Sequence, residues 1–260
     1  MDSNTPNRTA NWRFVLATDL DGTFLGGTDA MRRTLYDWIE ANRHEVGLIY
    51  VTGRDPAFLP VIWDDGVPVP DYVVGDVGTT IAEVQNRRFA PIPALEADIS
   101  ARWNGATNRV RAILDGAPGL VPQATEFRYR MSYHYDPETF DDSVVPEVQA
   151  LGLDVLISHE CYLDVLPGGV SKGPSLKRLM AHLKLGEDRV MVAGDTLNDL
   201  SMFQTGLAGA VVGGSERALL EAVADLPRAH VCTAPGAGGI LEAIAAHGLH
   251  PAVPAAEARA

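Results

Sequence analysis

Only two cysteines, Cys161 and Cys232, occur in the 260 residues, and they lie far apart in the chain. No metal-ligand spacing or disulfide framework can be built from them, so both read as ordinary reduced thiols. Apolar runs of membrane-spanning length are missing. The start, 1–11, is polar and lacks the apolar stretch of a secretory leader. Basic residues are scarce: 21 Lys and Arg stand against 34 Asp and Glu, a net charge of -13. A nucleic-acid backbone would be repelled by that field. The seven histidines show no ligand spacing. Internal repeats are absent, and the Ala/Pro-rich end from about 250 is the one biased tract. These absences leave a cytoplasmic globular protein, expected as a monomer, without a membrane or nucleic-acid partner. An anionic substrate must then meet local positive charge inside its site. With 46% hydrophobic residues the chain has enough apolar material for one large domain or two modest ones. The tails before about 11 and after about 250 are expected to fray.

What is present reads as alternating strands and helices at both ends of the chain. Strands are predicted over 14–18, 46–51 and 72–74, with helices over 29–42 and 56–64 between them. The rhythm returns with helices over 175–185, 199–204, 216–224 and 239–247 and strands over 190–193 and 208–212. Such a βαβα order implies a parallel sheet with right-handed crossovers. The stretch from about 86 to 167 differs. It holds helices over 99–114 and 141–151, a strand over 127–135 and a hairpin over 154–158 and 161–166. An α+β module inserted in an α/β domain, at a loop by the strand ends, is placed to cover the site. The expected division is 12–84 (core), 85–168 (insert) and 169–250 (core).

Four segments carry chemistry. In Phe14-Val15-Leu16-Ala17-Thr18-Asp19-Leu20-Asp21-Gly22-Thr23 an apolar strand ends in two carboxylates. Desolvating two acids serves no packing purpose, and the carboxyl edge of an open α/β sheet is where ligands bind. Two acids one residue apart can share a hard cation or divide nucleophile and acid roles; Asp-Gly is also a common turn signal. In Leu48-Ile49-Tyr50-Val51-Thr52-Gly53-Arg54 a strand runs into a hydroxyl and a glycine, which suit a phosphate oxygen. Arg54 reads equally as a phosphate clamp or a surface charge. Gly168-Gly169-Val170-Ser171-Lys172-Gly173 puts an ammonium at a helix start where the insert rejoins the core. Val190-Met191-Val192-Ala193-Gly194-Asp195-Thr196-Leu197-Asn198-Asp199 is a strand ending in acids, with Asp195 facing the crevice of Asp19 and Asp21. Asp199 alone also reads as an acid at a helix N-terminus. A cluster of carboxylates is untenable unless a cation bridges it, and all-oxygen donors with a phosphoryl partner select Mg2+.

In this order the four segments resemble the haloacid dehalogenase superfamily of aspartate-nucleophile phosphatases. The insert is similar to the larger α/β cap of its sugar-phosphatase branch. Ser132-Tyr133-His134-Tyr135-Asp136-Pro137, and Asp164-Val165-Leu166-Pro167 leading to Ser171-Lys172-Gly173, look like sucrose-phosphate phosphatases. Leu197, where those enzymes usually have glycine, and Arg130, where they tend to have lysine, depart from the pattern and leave the sugar open. The implied fold is a Rossmann-like parallel-sheet core with an α+β cap. The implied reaction is attack of Asp19 on phosphorus to give an aspartyl-phosphate, with Asp21 as acid and then base. By the same resemblance Mg2+ lies between the Asp19 carboxylate, the Asp21 carbonyl and Asp195. Thr52, Gly53 and Lys172 hold phosphoryl oxygens, Asp199 orients Lys172 or a water of the metal, and Asn198 buttresses that loop. Arg130, Tyr133, His134 and Asp164 are candidates for sugar hydroxyls, although His134 also reads as a structural histidine and the tyrosines as cap core. Sucrose 6-phosphate or a related phosphorylated glycoside is the expected substrate. Another hexose or aminosugar phosphate, a glycosyl-phosphoglycerate, or a phosphotransferase or mutase reaction is the alternative. A receiver-type signalling domain shares the acids, Thr and Lys but is about half this length.

Overall fold

The computed structural model describes residues 8–125, 127–158 and 161–255. After a short turn at Arg8–Asn11 comes strand β1 (Phe14–Thr18), buried at all five positions. Helix α1 (Asp29–Ala41) is started by Thr28, whose hydroxyl accepts from the Met31 N–H. Its Met31, Leu35, Trp38 and Ile39 recur at helical spacing and are buried. Next come β2 (Val46–Val51), α2 (Pro60–Asp64) and β3 (Tyr72–Gly75). The helix predicted over 56–64 is split into a turn at Pro56–Phe58 and the short α2, with Pro60 at its start. β4 (Thr80–Gln85) and β5 (Arg88–Pro91), which sequence reading missed, fold back antiparallel beside β3. β5 therefore lies on the main sheet, within the stretch that sequence reading assigned to the insert.

The inserted module runs through α3 (Pro93–Trp103), α4 (Thr107–Leu114), β6 (Leu120–Pro122), β7 (Met131–Tyr135), α5 (Val145–Gln149), β8 (Leu153–Ser158) and β9 (Tyr162–Pro167). The single helix predicted over 99–114 is two, broken where Asn104 and Gly105 take positive φ of 49° and 59°. The strand predicted over 127–135 is confined to β7, and the helix over 141–151 to α5 and the preceding turn. Its four strands, in order β6-β7-β9-β8, form a separate antiparallel sheet. Trp103, Val110, Tyr133, Val148 and Leu163 belong to a hydrophobic core of its own.

The chain then completes the main sheet with α6 (Lys172–Leu183), β10 (Val190–Gly194), α7 (Leu200–Phe203), β11 (Ala208–Gly213), α8 (Arg217–Val223), β12 (Ala229–Pro235) and α9 (Gly236–Ala246). The strand order is β12-β11-β10-β1-β2-β3-β4-β5, parallel from β12 to β3. Two apolar clusters cover the sheet, one including Phe14, Leu16 and Ile244 and the other Val15, Ala17 and Leu176, as expected for strands buried on both faces. The chain near 250 does not fray as expected. His250 is buried edge-on against Trp38, and the Trp38 indole N–H donates to the Ala252 carbonyl at 2.8 Å. Thr9 is buried too; 1–7 and 256–260 lie outside the described residues. None of the described helices is long and apolar enough to cross a membrane.

Candidate active site

β1 lies between β10 and β2, all three parallel, with Thr18 level with Ala193 and Tyr50. From β1 the chain winds one way to β2 and β3, while β10 to β12 extend the other way. This is a topological switch point, where a crevice opens at the carboxyl ends. Asp19, Thr52 and Asp195 follow the ends of these three strands, so segments distant in sequence meet there.

Asp19 leaves β1 in extended conformation, and Leu20–Phe24 coil into one wide turn in which Gly22 takes φ of 75°. A Cβ on Gly22 would stand 2.1 Å from Asp195 Oδ2, so only glycine lets the turn close on that acid. Thr23 donates from its hydroxyl to Asp195 Oδ1 at 2.8 Å. Lys172, 1% exposed, donates from Nζ to Asp19 Oδ1 (2.7 Å), Asp199 Oδ1 (2.6 Å) and Asn198 Oδ1 (2.9 Å). Asp199 Oδ2 accepts from the Asp195 and Thr196 N–H groups, which folds the loop after β10 around it. Asp199 thus faces the lysine, and Asn198 supports the same loop. Thr52 is buried, and its hydroxyl oxygen accepts from the Arg54 N–H at 3.1 Å.

Burial disfavours charge on Asp19 and on Lys172. It pushes the Asp19 carboxyl up to about 8; Lys172 pulls it down, and Asp199 and Asp195 add to the rise. Burial pulls Lys172 down, but Asp19 and Asp199 outweigh it and hold the ammonium above its ordinary value. Asp19, Asp195 and Asp199 each offer an oxygen within 4.8 Å of the others. When all three are ionised, three carboxylates against one ammonium leave two negative charges on hard oxygen donors, a set that fits one divalent cation.

A cavity of about 480 Å³ opens over these groups, within the ~300–1,000 Å³ of small-molecule sites. Asp19, Asp21, Gly53, Arg54, Thr196 and Asn198 line it from the core, and Arg130, His134 and Asp164 from the cap. Arg54 forms a two-pronged ion pair with Asp21 at the cavity mouth. Tyr133 corrects the sequence expectation. β7 and β9 alternate sides, so the register pairs Ser132 with Asp164 and His134 with Tyr162 on the cavity face. Tyr133 pairs with Leu163 on the opposite face, fully buried in the cap core, and its hydroxyl donates to Asp115 at 2.9 Å. Gln123, Thr125, Ser158 and Tyr162 also line the cavity and were missed. Tyr162, two positions from Asp164 in a predicted strand, was recoverable from the period of two. Gln123 and Thr125 sit in a loop that carries no signal.

The sequence model of sucrose-6F-phosphate phosphohydrolases matches residues 12–248. Glucosylglycerol-phosphate synthase of Pseudomonas anguilliseptica is 42% identical over 231 residues, which is 88% of this chain and 30% of that protein. The chain therefore spans about a third of that relative's length. Mannosylfructose-phosphate phosphatase of Agrobacterium fabrum is 28% identical, covering 91% of this chain and 98% of that one. The solved sucrose-phosphatase of Synechocystis, in complex with sucrose and phosphate, superposes with a TM-score of 0.83 at 26% identity, over 91% of this chain and 98% of that chain.

Proposed function

The chain belongs to the sucrose-6F-phosphate phosphohydrolase family of haloacid dehalogenase phosphatases, and on that footing we propose that it hydrolyses the phosphate monoester of a phosphorylated glycoside at Asp19. The observation that carries this reading is the two-ended cavity. Its core end holds Asp19, Asp21 and Arg54; its cap end offers Gln123, His134, Ser158, Tyr162 and Asp164, a set of donors, acceptors and one aromatic face suited to sugar hydroxyls.

The residues divide the work as follows. Asp19, oriented by Lys172, attacks phosphorus and becomes the aspartyl-phosphate. Asp21, released from Arg54 and protonated from solvent, gives that proton to the leaving sugar oxygen as the phosphorus–oxygen bond to the sugar breaks, and then takes one from the attacking water. Thr52, the Gly53 N–H and Lys172 hold phosphoryl oxygens, and the cap shuts out bulk water. Asp19, Asp195 and the Asp21 carbonyl would hold Mg2+, which supplies charge neutralisation between carboxylate and phosphoryl group. The alternating polar face of β7 and β9 selects the sugar.

The 42% identity to a glucosylglycerol-phosphate synthase, against 25–28% for the phosphatases of mannosylfructose phosphate and sucrose phosphate, favours glucosylglycerol phosphate over sucrose 6-phosphate. A phosphate-release panel of both, with hexose phosphates beside them, tests the reading. The expected result is a kcat/KM on the order of 10⁴ M⁻¹s⁻¹ or above for a glycoside phosphate. No release from any member, with Mg2+ present, overturns it.

A further inference from the structure

Arg130 stands just before β7 in the cap, yet its guanidinium reaches the core. Nη1 donates to Asp164 Oδ1 at 3.3 Å, within the cap. Nη2 donates to the Gly53 carbonyl at 3.2 Å and lies 3.6 Å from Asp76 Oδ1, both in the core. The ring of Phe127 covers one face, 3.6 Å from guanidinium carbon to centroid. The side chain is 6% exposed. Among the described residues, Arg130 Nε and Asp76 Oδ1 are two of three buried side-chain polar atoms without a hydrogen-bond partner. An ion pair of this kind is costly to bury and survives only where the surroundings over-determine it.

The core side is held with matching care. Asp76 and Val77 take φ of 51° and 56°, a region unfavourable for a branched side chain. Gly78 presses on the loop of the reactive lysine: a Cβ there would stand 2.5 Å from the Ser171 carbonyl. This strained turn donates from the Val77 N–H to the Thr52 carbonyl (3.1 Å) and from the Asp76 N–H to the Arg54 carbonyl (3.0 Å). The Gly53 carbonyl takes its donor from Arg130. All three carbonyls of Thr52-Gly53-Arg54 thus accept a hydrogen bond from outside the loop. The Gly53–Arg54 peptide is clamped at both ends, by Arg130 on its oxygen and by Thr52 Oγ1 on its N–H. Two of the three carbonyl donors come from the core and the third from the cap.

Resting on the phosphatase reading, we propose that Arg130 is a positioning residue that makes the geometry of the phosphoryl-holding loop depend on cap closure. With the cap down, Arg130 is seated between Asp164, Asp76 and the Gly53 carbonyl; as the cap lifts, the loop loses its third donor and the Gly53–Arg54 peptide one of its two anchors. A glycoside phosphate, which engages the cap wall, draws the benefit. A small aryl phosphate, which does not reach that wall, turns over without it.

The test compares Arg130→Gln, Arg130→Lys, Asp76→Asn and the Arg130→Gln/Asp76→Asn double variant on glucosylglycerol phosphate and on p-nitrophenyl phosphate. Melting curves serve as the folding control, and Asp76→Asn carries the test if the Arg130 variants do not fold. On the glycoside phosphate, kcat is expected to fall roughly ten- to a hundredfold for Arg130→Gln with a smaller change in KM. Arg130→Lys recovers part of the loss, because an ammonium reaches one acceptor where the fork reaches several. The double variant is no slower than Arg130→Gln, since both act through one contact. Asp76→Asn slows the glycoside phosphate while p-nitrophenyl phosphate turnover is unchanged. Equal loss on both substrates, or additive loss in the double variant, overturns the coupling and leaves the phosphatase reading intact. A wild-type protein that releases phosphate from neither substrate overturns both.

Discussion

Arg54 grips Asp21 with both prongs of its guanidinium, 2.8 Å from Nε to Oδ2 and 2.5 Å from Nη2 to Oδ1. The pair stands at the cavity mouth, with the two side chains 38% and 59% exposed. A phosphoryl dianion presents the same paired acceptors as a carboxylate, so the arriving substrate and Asp21 compete for one guanidinium. On the proposed reading, Asp21 stays paired with Arg54 until substrate takes that partner away.

Arg54→Ala is therefore expected to raise KM for the phosphate ester by roughly tenfold and to weaken inhibition by inorganic phosphate in parallel. Steady-state kinetics with phosphate as competitor read both. An unchanged inhibition constant would place Arg54 outside the phosphate's reach.

Asp19→Asn removes charge and nucleophile with almost no change of shape, and Lys172 keeps its bonds to Asn198 and Asp199. Turnover is expected to fall by at least about 10³-fold with the melting temperature nearly unchanged. Wild-type phosphate release from this variant would remove the nucleophile assignment.

Lys172→Met leaves Asp19 and Asp199 buried without their shared cation. Breaking such a pair costs about 3–5 kcal/mol, a drop in melting temperature of roughly 6–20 °C for a chain of this size. Calorimetry with and without a divalent cation checks it. The cation is expected to recover part of the loss by neutralising the same carboxylates.

Chelation by EDTA is expected to abolish phosphate release, and added Mg2+ to restore it, because Asp19, Asp195 and Asp199 crowd oxygens within 4.8 Å. Full activity in the chelator would refute the metal assignment.

Tyr133→Phe loses one hydrogen bond, to Asp115, and is expected to cost about 1 kcal/mol of stability while kcat/KM for the glycoside phosphate stays unchanged. A raised KM would return Tyr133 to the sugar.

Much of the fold was legible because its signals are local. β1, β2 and β10 are short apolar runs that end in a small or acidic residue, and their bounds lie within a residue of expectation. Strands at the margins of the sheet are harder: β12 and β5 form its two edges, and β4 lies beside β5. β4, β5 and β12 have mixed exposure, so no clean alternation or apolar run marks them. The helix over 99–114 was misread as continuous because its apolar spacing carries across Asn104 and Gly105, where the backbone reverses hand. Arg54 and Arg130 were legible as charges but not as partners, since a long flexible side chain reaches acceptors that no spacing rule names.

Taken alone, the order of residues determined that two acid-bearing strand ends, one threonine-bearing strand end and one lysine loop must share a sheet edge, because parallel strands joined by right-handed crossovers point their carboxyl ends the same way. Tertiary structure alone decided which atoms meet: Lys172 on Asp199, Arg54 on Asp21, Arg130 across the cap to Gly53, and Tyr133 turned from the cavity. The physical reason is distance. Backbone geometry follows from neighbours in the chain, whereas the pairing of buried charges depends on which desolvated groups the completed fold brings within a few ångströms.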